Sequence, residues 1–322
     1  MADEVAVGDR LSTTLARARG LAGGGAIGTG HLLYSAAHDK ETGALLDAFE
    51  VTPIVVRTVL AMPGRVAAEP GAELVVSADT EPVERDFEGF PAARDVYDHV
   101  YPISTAAYAA LSAVTNDSRM ALLAALLSDP TAEAPAILRD AGVDPAEVRR
   151  AAGTGTVPER ADRLDPELRP ARDALLCRVR YRGRGLRDRL LFSVFAREIN
   201  HAAHPVMWVR VEADRLAREQ NRATRTDDVL LAMLITHEVA AAYPHLTAAF
   251  RENFGGGAAL HARNIDHRRV RAAALAETGR DEVPPGRILV PGPDWTDDTR
   301  VLLDRLAAHP GNRSSHIVAA LS

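Results

Sequence analysis

The chain has 322 residues, 47% of them hydrophobic and 25% charged, with a formal net charge of -6 at pH 7. That apolar content and length suffice for two or three packed cores and exclude a globally disordered chain. The mild acidity argues against general nucleic-acid binding.

Aromatic residues make up only 5% of the chain, while Ala and Leu abound, a balance that favours helices over sheets. Lys40 is the only lysine and is followed by Glu41; a phosphate-cradling loop ends in Lys-Ser or Lys-Thr, so a Walker-type ATPase is excluded. Cys177 is the single cysteine, which excludes an intrachain disulfide and a Cys-rich zinc site. The start, Met1-Ala2-Asp3-Glu4, is acidic, unlike a secretory signal. The longest uncharged run, Val100 to Asn116, is too short for a spanning helix and contains Pro102. No membrane association is expected, and a cytoplasmic location is.

Helical periodicity begins at Leu11–Leu21 and His31–Ala37, then Leu45–Phe49 and Pro53–Ala61, with Thr52 as N-cap and Pro53 at the first helical position. Residues 64–100 are acidic and punctuated by Pro70, Pro82 and Pro91; they read as a linker with one short strand at Leu74-Val75-Val76. Helices resume at Thr105–Val114, Arg119–Leu127, Ala134–Ala141 and Pro145–Ala152. Residues 153–204 read as a linker and an Arg-rich helical insertion, with helices at Arg172–Val179 and Leu186–Ala202. Then come Val206–Gln220, Asp227–Thr236 and Tyr243–Asn253. Gly255-Gly256-Gly257 is expected to break the pattern before Ala258–Arg263 and His267–Glu277. Pro284, Pro285, Pro291 and Pro293 mark a last linker before Asp297–Ala307 and Ser315–Leu321.

The chain also repeats itself. Three stretches share an ending: Ala141-Gly142-Val143-Asp144, then Glu147-Val148-Arg149; Arg263-Asn264-Ile265-Asp266, then Arg269-Val270-Arg271; and, more loosely, Phe49-Glu50-Val51-Thr52, then Val56-Arg57. Upstream, a polar turn enters a Leu-rich helix: Ile27-Gly28-Thr29-Gly30-His31-Leu32-Leu33 in the first copy, Thr226-Asp227-Asp228-Val229-Leu230-Leu231 in the third, Ser314-Ser315-His316-Ile317-Val318 in a fourth. The second copy is weakest at the turn, Ser118-Arg119-Met120-Ala121. Thr29 and Ser314 fit the role of N-caps, whose hydroxyls satisfy an orphan helix amide.

This pattern resembles the repeat of the N-terminal domains of Clp unfoldases, whose hallmark is Ile-Gly-Thr-Glu-His before a Leu-rich helix. Here Gly30 stands where that family has Glu, and Trp295-Thr296 looks like its aromatic-Thr repeat opening. The resemblance implies an all-α fold of tandem pseudo-twofold helical domains: residues 1–152 with repeats one and two, and residues 205–322 with degenerate repeats three and four. It implies a non-enzymatic protein- or peptide-binding module of the Clp protease system, acting as adaptor, competitor or ligand-sequestering decoy. Its expected partners are Clp ATPase or protease components, their adaptors and substrates, cyclic-peptide ligands, or phosphoarginine proteins. The family holds the guanidinium with its Glu; Asp227 alone keeps a carboxylate at that position, and Ile103 lies where the second repeat would open with an aromatic. The binding residues so implied are Thr29, His31, Ile103, Asp227, Asp228 and Trp295.

Signatures of catalysis and metal binding are not found in the sequence. His237-Glu238 has Ala241, not His, four positions on. His201 and His204 are three apart and could share a helix face, but Pro205 follows His204 directly and no carboxylate pair sits nearby; no Gly-x-Ser-x-Gly elbow occurs. Cys177 sits among Leu175, Leu176 and Val179 and reads as a buried, inert thiol. Gly23-Gly24-Gly25 lacks a preceding strand and reads as a turn. No catalytic residue, metal ligand or cofactor is therefore expected. Between Arg169 and Arg189, Arg178, Arg180, Arg182 and Arg184 alternate around Tyr181 and Gly183; they read as a solvated connector or a contact for an acidic partner. The alternative reading is a metal-dependent or nucleophilic hydrolase on a helical scaffold, or a membrane-peripheral scaffold using the arginine segment.

Overall fold

The computed structural model describes residues 3–62, 69, 89–179, 200–290 and 298–322, and is mostly helical. The strand expected at Leu74–Val76, most of the helix expected at 186–202, Trp295, and Arg180, Arg182 and Arg184 lie outside the described residues. The chain divides into two compact units, Met1–Asp162 and Arg163–Ser322.

In the first unit, α1 (Asp9–Ala22), α2 (Thr29–Ala37), α3 (Lys40–Ala48) and α4 (Pro53–Leu60) are followed by α5 (Thr105–Ser112), α6 (Arg119–Leu126), α7 (Glu133–Asp140) and α8 (Pro145–Thr154). Every residue of α2 is buried, as an apolar helix surrounded by others must be. Leu32 and Leu33 pack there with Leu15, Leu45, Ile54 and Leu123, all essentially inaccessible to solvent.

A three-stranded sheet lies beside the helices: β1 (Glu4–Ala6) pairs in parallel with β2 (Ala92–Arg94), which pairs antiparallel with β3 (Val100–Pro102). Sequence reading takes β2 into the linker, because three-residue strands are too short to display a period-two pattern. Ile103 continues from β3 into a bridge with Ile27, and Ser104 then caps α5 by accepting from the Ala107 amide at 3.1 Å.

The second unit holds α9 (Arg169–Leu175), α10 (Pro205–Glu219), α11 (Thr226–Ala242), α12 (Pro244–Thr247), a 3-10 stretch (Ala248–Phe254), α13 (Gly255–His261), α14 (His267–Ala276), α15 (Pro285–Ile288), α16 (Thr299–Ala307) and α17 (Arg313–Leu321). The three glycines expected to interrupt the helical pattern instead begin α13. A Cβ on Gly256 would stand 2.2 Å from the Thr299 carbonyl oxygen, and one on Gly257 2.3 Å from the His237 Cβ. Close helix packing, rather than a turn, demands glycine here.

The repeated endings have a common geometry. Glu50, Gly142 and Asn264 each adopt a left-handed conformation, with φ of 62, 75 and 59°. The following amide turns back to the helix: Val51 to the Leu46 carbonyl, Val143 to Leu138 and Ile265 to Leu260, at 3.0, 2.8 and 3.0 Å. These are Schellman caps, and their left-handed residue favours Gly or Asn. Asp144 and Asp266 then cap the next helices through their carboxylates. Thr52 is the N-cap of α4, yet its hydroxyl is buried without a hydrogen-bond partner among the described residues.

Cys177 is half-buried rather than enclosed and occupies the left-handed position after α9, with φ of 55°. Among the described residues, no single helix is long and apolar enough to cross a membrane.

Candidate functional site

In each unit one carboxylate from the connecting segment, buried in the first and half-buried in the second, ties together the N-termini of two helices. In the first unit Glu69, 5% exposed, accepts from the Thr29 amide at 2.8 Å, from the Thr29 hydroxyl, from the Ser104 hydroxyl at 2.5 Å and from the Glu133 amide at 2.9 Å. The Thr29 hydroxyl in turn accepts from the Ala134 amide at 3.0 Å. In the second unit Asp281 accepts from the Thr226 amide at 2.9 Å, from the Thr226 hydroxyl and from the Arg313 amide at 3.1 Å. The Thr226 hydroxyl accepts from the Ser314 amide at 3.1 Å. The carboxylates sit where amides are orphaned and helix dipoles are positive, which is where an anion is most stabilised.

Thr29 is therefore not the N-cap of its own helix, as its sequence position suggests; Gly28 is, and the Thr29 hydroxyl caps α7 instead. Ser314 is not a cap either. Asn312 is the N-cap of α17, and the Ser314 hydroxyl is buried without a partner among the described residues. The turn-and-helix expected at Ser314 is displaced by one helix: Leu302, Leu303 and Leu306 in α16 keep the spacing of Leu122, Leu123 and Leu126 in α6, and Pro310 that of Pro130. α17 packs on α11 and α14 as α7 packs on α2 and α4.

The other expected binding residues are internal. The His31 Nδ1 accepts from the Gly28 amide at 3.0 Å, as Asp228 accepts from the Arg225 amide at 2.8 Å. Asp228 also receives both terminal nitrogens of Arg222, at 2.5 and 2.7 Å. Asp227, 3% exposed, pairs with the Arg313 guanidinium at 2.8 Å. That guanidinium also donates to the Glu277, Gly279 and Ala274 carbonyls, and the pairing holds its pKa above the ordinary arginine value. Asp227 and Asp228 thus cap and brace α11 and present no open carboxylate. In the first unit Gly30 takes the corresponding position, and a Cβ there would meet the Glu133 Cγ at 2.9 Å. Ile103 is fully buried core rather than a groove anchor. Arg178 is bound to Asp173 at 3.1 Å, within the cap of α9.

Burial lowers the His31 pKa to about 4, only partly offset by the Glu69 charge. With Nδ1 accepting, the neutral ring carries its proton on Nε2, which has no partner among the described residues. Between pH 6.5 and 4 the unfolded state takes up a proton that the folded state refuses, so stability falls as pH drops through that window. His31→Gln keeps an acceptor for Gly28 and has no titration. In urea unfolding followed from pH 7 to 4, the variant is expected to lose about 2–3 kcal/mol less than wild type.

Sequence reading names no metal ligand, but the fold gathers Asp165, Glu167 and His267 in the second unit, each with one ligand atom within 4.8 Å of the others. His267 lies about a hundred positions from the two acids, and no local motif marks the three together. Comparison with protein-family models, with curated proteins and with solved structures finds no match.

Proposed function

We propose that this chain is a non-enzymatic protein-binding module made of two degenerate units of the Clp N-domain type, acting on the Clp protease system as an adaptor or a competitor for adaptors. The observation that carries the reading is the recurrence in both units of a Thr-led turn into a Leu-rich helix, joined by one carboxylate to a later helix N-terminus. It adds a structural register to the motif resemblance at Ile27–Leu33 and Thr226–Leu231.

The buried chemistry sets limits on the ligand. In the family that the sequence resembles, a carboxylate in this turn receives a guanidinium. Here Asp227 already holds the chain's own Arg313, and Gly30 offers no carboxylate at all. Phosphoarginine is therefore not the ligand in this reading, and recognition uses the surface. The hairpin joining β2 and β3 exposes Val96, Tyr97 and Val100 by 50, 68 and 49%, and an exposed aromatic flanked by aliphatics suits a protein partner.

Affinity capture from native lysate with the tagged full chain should recover Clp ATPase subunits or their adaptors. Tyr97→Ser combined with Val96→Ser should lower that recovery at least about tenfold, the cost of losing a well-packed anchor, while leaving the melting temperature unchanged. Recovery of no Clp component would remove the reading; recovery undiminished in the double variant would remove the hairpin from it.

A further inference from the structure

The second unit contains a polar cluster that the binding-module reading does not use. Asp165 and Glu167 lie in the turn leading to α9, where the Asp165 carboxylate accepts from the Glu167 amide at 3.0 Å. His267 is the first residue of α14, with its side chain 5% exposed. Its Nδ1 lies 2.6 Å from Glu238 of α11, a carboxylate that also accepts from the His267 amide at 3.1 Å. An Nδ1–H donated to this carboxylate leaves Nε2 with its lone pair outward. Among the described residues Nε2 has no hydrogen-bond partner, and it faces Asp165 Oδ2 at 3.7 Å and Glu167 Oε2 at 3.6 Å.

Those distances are too long for hydrogen bonds. They are close to the edge between two ligands on a tetrahedral ion: metal–donor distances of about 2.0–2.2 Å place neighbouring donors about 3.4 Å apart. A carboxylate on the far ring nitrogen is also the usual means of orienting a metal-bound histidine and raising its basicity.

We propose that Asp165, Glu167 and His267 form a binding site for a divalent first-row transition ion, with Glu238 as the outer support and a fourth position open to water beside the half-exposed Glu167. One imidazole nitrogen with two carboxylate oxygens suits Zn2+ or Mn2+ and disfavours Mg2+ and Ca2+, which prefer all-oxygen sites. The ion would fasten the turn before α9 to the start of α14. Two cations compete for the carboxylates: Arg268, bound to Asp165, and Arg271, 2.9 Å from Glu167. Arg268 is 71% exposed and can swing into solvent when the ion enters.

Equilibrium dialysis of the full chain against Zn2+ at neutral pH, read by elemental mass spectrometry, tests this with Mg2+ as the control. The expected result is one Zn2+ per chain that His267→Ala and Asp165→Asn/Glu167→Gln each abolish and that His201→Ala/His204→Ala leaves in place. Glu238→Gln should weaken it about 10- to 100-fold, as loss of an outer carboxylate does. Arg268→Ala should tighten it, whereas a purely structural ion-pair cluster gains no affinity on losing a cation. Circular dichroism of each variant without metal confirms folding. Absence of stoichiometric Zn2+ in the folded wild type, or retention of it in folded His267→Ala, overturns the site.

Discussion

Replacing Glu69 by Ala is expected to destabilise the first unit by about 3–5 kcal/mol, among the largest losses for any single side chain outside the apolar core. The carboxylate is the acceptor for the Thr29 and Glu133 amides, and both lie in buried surroundings where water cannot replace it. Each orphaned amide costs about 1–3 kcal/mol, and the hydroxyls of Thr29 and Ser104 lose their acceptor as well. Thr29→Val keeps shape and volume but strands only the Ala134 amide, so about 1–3 kcal/mol is expected from it. Hydrogen exchange should show where the loss falls: amides of α2 and α7 accelerate together in Glu69→Ala, while those of α11 and α17 keep their wild-type rates. Asp281→Ala should give the converse pattern. Protection unchanged in both variants would mean that the carboxylates do not hold the helix starts.

The second large effect is expected at the Asp227–Arg313 pair. Arg313→Ala leaves Asp227 buried with neither oxygen matched, since its Oδ1 already lacks a partner among the described residues. Removing one member of such a pair costs about 3–5 kcal/mol. Asp227→Ala costs less, about 1–3 kcal/mol, because the guanidinium still donates to the Glu277, Gly279 and Ala274 carbonyls. The double variant should therefore be more stable than the sum of the single losses allows, with a coupling of at least about 1 kcal/mol. Urea unfolding of the four proteins supplies the cycle. If Asp227 instead serves a ligand, Asp227→Ala leaves stability within about 0.5 kcal/mol of wild type, as surface substitutions do.

These two stations also show what was legible in the amino-acid sequence. The helices follow from periodicity and caps, and the Gly/Asn-Val/Ile-Asp endings prove to be Schellman caps with an Asp start to the next helix, a local geometry that local residues encode. Thr29 and Thr226 stand out for the same reason. Their partners do not: Glu69 and Asp281 act across 40 and 55 positions, and nothing adjacent distinguishes them from other acidic linker residues. At Ser314 one polar turn before an apolar helix looks like another; the Leu302-Leu303-Leu306 spacing is the better guide. Asp227 and Asp228 stand in the first turn of a helix, as their place before the Leu-rich run implies, but the Arg313 and Arg222 that pair with them come from packing. The cluster at His267 joins segments about a hundred positions apart and was illegible for that reason.

The most direct test of the account is binding between purified components: sedimentation velocity of the full chain mixed with each Clp ATPase ring and each adaptor from the same source. A saturable complex with at least one of them is expected, with a dissociation constant on the order of micromolar, as suits a small surface patch with one aromatic anchor, weakened by Tyr97→Ser/Val96→Ser and indifferent to phosphoarginine peptide. Independent sedimentation of the chain with every Clp component at concentrations well above that range would contradict it.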